Sequence, residues 1–341
     1  MLRILHDTRI DFIRLWRRAA LASALLILPG LVLAVVRGFN YSIEFTGGTL
    51  LQMEFAQAPD VGEVRRALSA AGLTGVEIST FGSPRELVMR AQEERHVEEQ
   101  AGGATSIATR IRAALDRRFG PQAYTVVRSE AVGPRVGGEL RRQAAVAMVI
   151  AFALTLLYLA WRFEWRFSLA AVLATVHDIL ATLAFIRYMN IEISLFVVGG
   201  ILTVIGYSMN DTVVVFDRVR ENLRLSRRES LYEILNRSVN ETLPRTVMTG
   251  STTLASLLAL LLLGGEVIRP FAWVLTFGII IGTFSSVYVA APVLLWIERR
   301  WPRQESERGG GGARIKPRDP QASAPPAAAS PPRAANVRAR T

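Results

Sequence analysis

Five ionisable side chains lie in or beside apolar segments of this 341-residue chain. An ionisable group inside hydrocarbon is costly unless it is paired, so such residues are candidates for proton or ion transfer. His177 and Asp178 are adjacent in one apolar run, Asp211 and Asp217 belong to the next, and Arg245 begins a third. This combination of residue types predicts a proton relay. We place Asp211 at its centre because it lies deeper in its run than Asp217 does.

The spacing of these residues predicts a pair between Asp211 and Arg245. Asp211 and Asp217 are six residues apart, which on a helix is about 9 Å along the axis and about 120° around it. They therefore cannot share a face, and a carboxylate dyad is not expected. The loop after the Asp217 segment returns Arg245 to the membrane at the level of Asp211. A buried carboxylate stays ionised beside an arginine and takes up a proton when that arginine moves away.

Each of these residues also has a simpler interpretation. Asp217 can be a solvated charge at the membrane surface, and Arg245 can be a topology anchor. His177 and Asp178 can form a packing pair that orients two helices. The chain has no cysteine and three histidines, of which one lies in an apolar run, so neither a metal site nor a cofactor is expected. A Gly278-x-x-x-Gly282 sequence is typical of close helix packing.

The elements that must position these residues are six apolar runs. A helix needs roughly 20 mainly apolar residues to cross a hydrocarbon core of about 30 Å, which predicts a polytopic α-helical membrane protein with six transmembrane helices. The first run is not followed by a clear signal-peptide cleavage site, so we expect it to remain as a span. The runs cover residues 19–36, 143–160, 168–186, 193–216, 246–264 and 271–296.

The distribution of arginine predicts the orientation of these spans. Five arginines lie in residues 1–18 and several lie in residues 217–244, whereas the opposite short links carry one each, Arg187 and Arg269. Because positive charge favours the cytoplasmic side, both termini should be cytoplasmic. The predicted organisation is a cytoplasmic N-terminus (1–18), a first span (19–36), a periplasmic domain (37–138), five further spans (139–300) and a cytoplasmic tail (301–341).

The segment between the first two spans predicts a small α+β domain. Its apolar patterns indicate strands at 49–56, 76–81, 86–91 and 124–130, and helices at 61–71 and 104–118. The order β-α-β-β-α-β is that of the ferredoxin-like motif. That fold serves many functions and specifies none of them.

Two further segments are polar. Residues 217–244 predict a pair of amphipathic helices on the membrane surface. Residues 301–341 are rich in glycine, proline, alanine and arginine, which predicts disorder. Much of the formal charge of +11 lies in this tail or next to the spans. There it favours binding of anionic lipids, and no nucleic-acid motif is present.

Four short sequences resemble motifs of a known family. The first follows the first span and resembles a Gly-Ile-Asp-Phe-Thr-Gly-Gly signature, with Ser42 and Glu44 as mild departures. The others precede the second span, lie in the third, and lie in the fourth. They are Ser42-Ile43-Glu44-Phe45-Thr46-Gly47-Gly48, Val132-Gly133-Pro134, His177-Asp178 and Gly206-Tyr207-Ser208-Met209-Asn210-Asp211. Together they resemble the SecD/SecF family of translocase subunits, and the fourth is closest to its SecF branch.

The resemblance implies a six-helix unit of the resistance-nodulation-division type in the bacterial cytoplasmic membrane. It implies a SecD partner, work at the SecYEG channel on a translocating protein chain, and use of the proton gradient. No enzymatic activity is implied. Three alternatives remain: half of a small-molecule efflux transporter, an intramembrane enzyme, and a structural scaffold for the translocon. The transporter would need larger exterior domains, the enzyme a catalytic set that these motifs do not match, and the scaffold would tolerate loss of every membrane charge.

Overall fold

The computed structural model describes residues 8–91, 103–226 and 229–301. Nearly all of the tail predicted to be disordered lies outside these residues. Six helical segments are long and apolar enough to cross a membrane, and a four-stranded sheet lies between the first and second of them. The predicted fold class is confirmed.

The membrane part consists of long helices joined by short turns. The third, fourth and sixth spans are the most buried and form its core, whereas the second is almost entirely exposed within this chain. The last span is interrupted by a π-helical turn, Ser286–Ala290. The helices are α1 (Trp16–Arg37), α5 (Pro134–Arg162), α6 (Trp165–Tyr188), α7 (Leu195–Leu225), α8 (Leu231–Leu263), α9 (Gly265–Ser285) and α10 (Ala291–Arg300).

Residues 217–244 differ from the expectation of a separate helix pair on the membrane surface. They are the polar ends of α7 and α8, and each continues its span without a break. The two ends are held to each other, since Arg218 Nε donates to Glu241 at 2.6 Å and Asn222 Nδ2 donates to Ser238 at 3.0 Å. Amphipathic patterning reports which face of a helix is buried, and here that face packs on a neighbouring helix instead of on lipid.

The N-terminal segment is hydrogen-bonded to the helical hairpin that α7 and α8 form. The amides of Ile10 and Phe12 donate to the side-chain oxygens of Asn240 and Asn236, both at 2.9 Å. Residues 10–12 therefore lie at the same end of the helix bundle as the connection between α7 and α8. The sheet domain packs at the other end, as described below.

The domain between α1 and α5 has the predicted ferredoxin-like topology. Its antiparallel sheet has the strand order β2-β3-β1-β4, and α3 and α4 pack on one face. Leu51 and Met53 of β1 meet Leu68 of α3 and Ile111 of α4 in this core, and all four are essentially inaccessible to solvent. The elements are α2 (Ile43–Thr46), β1 (Gly48–Phe55), α3 (Val61–Ala70), β2 (Glu77–Phe81), β3 (Ser83–Ala91), α4 (Gly103–Phe119) and β4 (Tyr124–Val132).

The other face of the sheet rests on the turns that join the spans. Leu50 and Val88 pack on Ile43 of α2 on this face, which explains why β1 is buried on both faces. Arg90 of β3 forms an ion pair with Glu192 in the turn before α7. Burial raises the pKa of the Glu192 carboxyl, and Arg90 opposes that shift. Glu192 therefore depends on Arg90 for its charge.

Arg90→Gln is expected to loosen the contact between the domain and the membrane part. The change removes the counter-charge of a half-buried carboxylate while leaving the strand in place. Hydrogen exchange of the amides at 190–194 should accelerate roughly tenfold, which corresponds to a loss of about 1.4 kcal/mol in the free energy of local opening. Arg85→Gln is the matched control, because Arg85 is an exposed residue of the same strand. Equal exchange in the two variants would show that the ion pair does not hold the domain.

Candidate functional site

The most densely bonded acid in the membrane part is Asp178, which is 1% exposed. One carboxylate oxygen contacts His177 Nδ1 at 2.9 Å. The other accepts hydrogen bonds from Ser208 of α7 and, at 2.7 Å, from Ser285 of α9. His177 Nε2 in turn lies 2.9 Å from Ser23 Oγ on α1. A single polar network thus joins four helices, and its donors satisfy an acid that would otherwise be costly to bury.

Close helix packing brings these groups together. A side chain at Gly282 would begin 2.8 Å from Ser208 Cβ, and one at Gly278 would begin 2.1 Å from Val204. Only glycine permits that approach of α9 to α7. The predicted packing role of the two glycines is confirmed, and its effect is to hold Ser208 and Ser285 against Asp178.

Asp211 lies on α7, one turn beyond Ser208, and is 2% exposed. Thr283 of α9 donates to its carboxylate at 3.3 Å. Within the described residues this is the one hydrogen bond to that side chain. Asp211 is thus a buried carboxylate that receives fewer hydrogen bonds than Asp178 does. Proton uptake lowers the cost of burial most for a carboxylate with so few hydrogen bonds.

The expected close pair between Asp211 and Arg245 is not formed in this conformation. No nitrogen of Arg245 lies within 4 Å of a carboxylate oxygen in the described part of the chain, although the two charges are near enough to attract each other. Arg245 is exposed and lines an open cavity of about 910 Å³, together with Arg218, Glu233 and Glu241. Its long side chain reaches the polar cavity instead of turning inward to Asp211, which keeps the charged guanidinium in a polar setting.

Asp217 belongs to a different contact. Both of its oxygens accept hydrogen bonds from Arg162 at the end of α5, at 2.9 and 2.8 Å. Arg220 lies 3.9 Å away. Asp217 therefore ties α5 to α7 at the edge of the bundle, whereas Asp211 faces α9. The prediction that these two acids do not form a dyad is confirmed.

The first two sequence motifs meet where the domain joins the bundle. Gly47 has φ +76° and ψ 166°, and Gly48 has φ +126°, both in regions that favour glycine. A side chain at Gly47 would begin 2.7 Å from Pro134 Cα, and one at Gly137 would begin 2.8 Å from the Gly47 nitrogen. Gly133 follows β4 in an extended conformation, and Pro134 starts α5, a position that suits proline.

Glu44 of the first motif caps a helix. Its carboxylate accepts from the Leu195 amide at the start of α7, at 2.6 Å, and from Ser42 Oγ at 3.2 Å. A negative charge at a helix N-terminus is favourable. The two departures of this motif are thus hydrogen-bonded to each other. Phe45 fills the space beside α6 and α7, and Thr46 bonds back to the Ser42 carbonyl at 3.2 Å.

One face of α7 has no partner within the described residues. Thr203, Gly206 and Asn210 follow one another at helical spacing and are all exposed. Nothing lies within 4 Å of the position that a side chain at Gly206 would occupy. The Asn210 amide forms no hydrogen bond to another described residue. An amide on the lipid-facing side of a span is costly unless a neighbour satisfies it.

Two segments of the chain match models of one protein family. Residues 113–300 match the family described as "Protein export membrane protein SecD/SecF, C-terminal", and residues 32–59 match the "SecD/SecF GG Motif". The chain belongs to the SecD/SecF family. The GG motif contains the Gly47-Gly48 pair, and the larger match contains His177, Asp178 and Asp211.

Relatives within the SecD/SecF family match nearly the whole chain. The protein translocase subunit SecF of Gemmatimonas aurantiaca is 59% identical over 89% of this chain and 91% of that protein. The SecF subunit of Desulfurispirillum indicum is 44% identical over 86% and 93%. The crystal structure of SecDF from Thermus thermophilus matches with a TM-score of 0.77 and 35% identity. That match covers 88% of this chain and 40% of the SecDF chain, so this chain spans two-fifths of the fused protein.

Sequence reasoning identified the acids but missed the serines that hold them. Ser208 lies inside the fourth motif and could have been weighed there. Ser23 and Ser285 lie in apolar runs outside the four motifs, and only the folded helices bring them to His177 and Asp178. In the described ranges, no three histidine, aspartate or glutamate side chains are grouped closely enough to hold a metal ion.

The family's double glycine offers a test with a matched control. Gly47→Ala is expected to cost about 1–3 kcal/mol more stability than Gly38→Ala, because it adds overpacking against Pro134 to the backbone strain. Gly38 has nearly the same conformation, with φ +68° and ψ −175°, and open space around it. Thermal unfolding of the purified variants measures the difference. Equal melting temperatures would contradict the close-approach explanation.

Proposed function

We propose that this chain works with SecD as a pair that uses the proton motive force to promote protein export. The chain is a multi-pass membrane protein and an accessory subunit of the Sec translocase by its family and its relatives. The partnership is supported by a fused relative, the SecDF protein of Thermus thermophilus. This chain matches only 40% of that protein's length. The rest of such a chain has room for the second half of a transporter-like unit.

The unpartnered face of α7 supports the same partnership. Gly206 leaves room for a close helix, and Asn210 supplies an amide that a second helix can satisfy. Both residues belong to the motif that contains Asp211. A SecD helix on this face would lie alongside the helix that carries the buried acid, which suits a proton path at the subunit interface.

The proton step uses Asp211 and Arg245. With the acid ionised, its attraction to Arg245 favours one arrangement of α7 and α8. Proton uptake removes that attraction and releases Arg245 to the polar cavity. A proton that falls through about 150 mV releases roughly 3.5 kcal/mol, enough to shift a two-state equilibrium by about 300-fold. The exterior domain then moves relative to the SecYEG channel and draws the protein chain outward.

The two ends of the bundle support the proposed orientation. The N-terminal segment and the α7–α8 turn lie together at the arginine-rich end, and the sheet domain rests on the opposite turns. Positive charge favours the cytoplasm, so the domain faces the periplasm in the inner membrane. The arginines also suit anionic lipids on the cytoplasmic side. The role is mechanical and needs no catalytic step on a substrate bond.

Co-purification with SecD tests this proposal. The tagged chain, expressed with the SecD protein of the same cell, should retain SecD, and Gly206→Leu should release most of it. Gly206 is open within this chain, so the leucine disturbs the partner and not the chain's own fold. Gly138→Leu is the matched control, since Gly138 is an equally open glycine on α5. Absence of SecD from the wild-type complex would refute the partnership.

A further inference from the structure

A groove of about 600 Å³ runs between α1 and the last span. Its α1 wall is formed by residues from Trp16 to Leu28, with Ala20 and Ala24 between them. Tyr288 and Trp296 lie on the other wall, and the lining is almost entirely apolar. The proposed proton path does not use this groove, which opens to the outside of the helix bundle.

The π-helical turn shapes the groove. Proline at position 292 has no amide to donate to the preceding turn, and its ring crowds the carbonyl four residues earlier. The helix widens into the π turn Ser286–Ala290 directly before it. Such turns are frequent at functional sites. Here the turn and Pro292 both contribute to the wall opposite α1.

The groove has the length of one membrane leaflet. Trp16 and Leu28 are twelve residues apart, which is about 18 Å of helix, against about 15 Å for half of a hydrocarbon core. A groove of that length, with α1 on one side and the last span on the other, fits an extended hydrocarbon chain.

The polar end of the groove is basic. Arg299 lines it, and the Arg17 guanidinium lies 5.7 Å from the ring of Trp16, which also lines it. Trp16 and Trp296 lie at the same end, and tryptophans mark the level of lipid headgroups. The groove is therefore apolar along its length, with aromatic rings and arginines where a headgroup would lie.

We propose that this groove binds an anionic phospholipid, with one acyl chain between α1 and the last span and the phosphate at Arg299 and Arg17. His177 and Ser23 also line the groove. The acyl chain therefore covers the hydrogen bond between them, which is the outermost link of the Asp178 network. Lipid binding holds α1 against the bundle and keeps this link away from water.

Fluorescence quenching by brominated lipids tests the site directly. The full chain, with Trp296 as its single tryptophan and phenylalanine at the other five positions, is placed in vesicles of phosphatidylcholine and phosphatidylglycerol. Bromine is carried on one lipid or on the other at the same mole fraction, so the headgroup composition never changes. Trp296 should be quenched as if phosphatidylglycerol were enriched about fivefold around it. A chain with Trp273 alone, which is exposed on α9, should show no preference.

Two variants of the Trp296 chain locate the lipid. Arg299→Gln should abolish most of the preference for phosphatidylglycerol without lowering quenching by phosphatidylcholine. Ala24→Phe should fill the groove and lower quenching by both lipids, whereas Ala22→Phe, on the exposed side of α1, should not. The same quenching for Trp296 and Trp273, or a preference that survives Arg299→Gln, would overturn the proposal.

Discussion

Asp211→Asn is expected to abolish proton-driven stimulation of export and to leave the complex with SecD intact. Asparagine keeps the volume of aspartate and can still accept the Thr283 hydrogen bond, but it neither carries the negative charge nor binds the proton. Removing a poorly supported buried charge should not reduce stability. The measurement is transport of a secreted substrate into inverted membrane vesicles, with and without a proton gradient.

Asp217→Asn serves as the control for this substitution. It makes the same chemical change on the same helix, but Asp217 is partly exposed and paired with Arg162. Asp217→Asn should reduce the gradient response only mildly, since an exposed ion pair contributes about 0–1 kcal/mol to stability. Arg245→Ala should lose the gradient response as Asp211→Asn does. If vesicles with Asp211→Asn respond to the gradient as wild type does, the chain acts as a scaffold and the relay is wrong.

The largest expected loss of stability follows Asp178→Ala. The change leaves the hydroxyls of Ser208 and Ser285 and the ring of His177 without their shared acceptor. Breaking a buried, bonded charge costs about 3–5 kcal/mol, which for a chain of 341 residues corresponds to a melting temperature roughly 4–7 °C lower. Thermal unfolding followed by tryptophan fluorescence measures it in the purified protein.

Two milder substitutions distinguish the loss of hydrogen bonds in this network from the loss of side-chain volume at position 178. Asp178→Asn keeps acceptor capacity for two of the three partners and should cost less than half as much. Ser23→Ala removes only the outer contact to His177 and should cost about 1 kcal/mol. Stability that is the same in Asp178→Ala and Ser23→Ala would contradict the central position of Asp178.

The sequence predicted the fold closely because each element has its own pattern. The strands and helices of the domain follow apolar periodicity, and the observed strand order completes the ferredoxin-like topology. Periodicity does not show where a polar helix end packs, so the pattern of residues 217–244 predicts surface helices where the structure has the ends of α7 and α8. Their contacts, such as Asn222 with Ser238, join residues from two different helices.

The candidate site was predicted in part. Asp211 and Asp178 stand out as acids in apolar runs, and the motifs place them in a family. The number of hydrogen bonds that each acid accepts does not follow from the sequence. The serines that donate to Asp178 lie 30 and 107 residues away along the chain, on other helices. The direction of the Arg245 side chain depends on a cavity that exists only in the folded bundle.

Proton uptake by proteoliposomes tests whether Asp211 carries protons across the membrane. Liposomes that contain this chain and SecD, with a pH-sensitive dye inside and an imposed membrane potential, report proton movement through the pair. We expect uptake with the wild-type chain, background uptake with Asp211→Asn, and wild-type-like uptake with Asp217→Asn. Uptake that is equal with wild type and with Asp211→Asn would contradict this expectation.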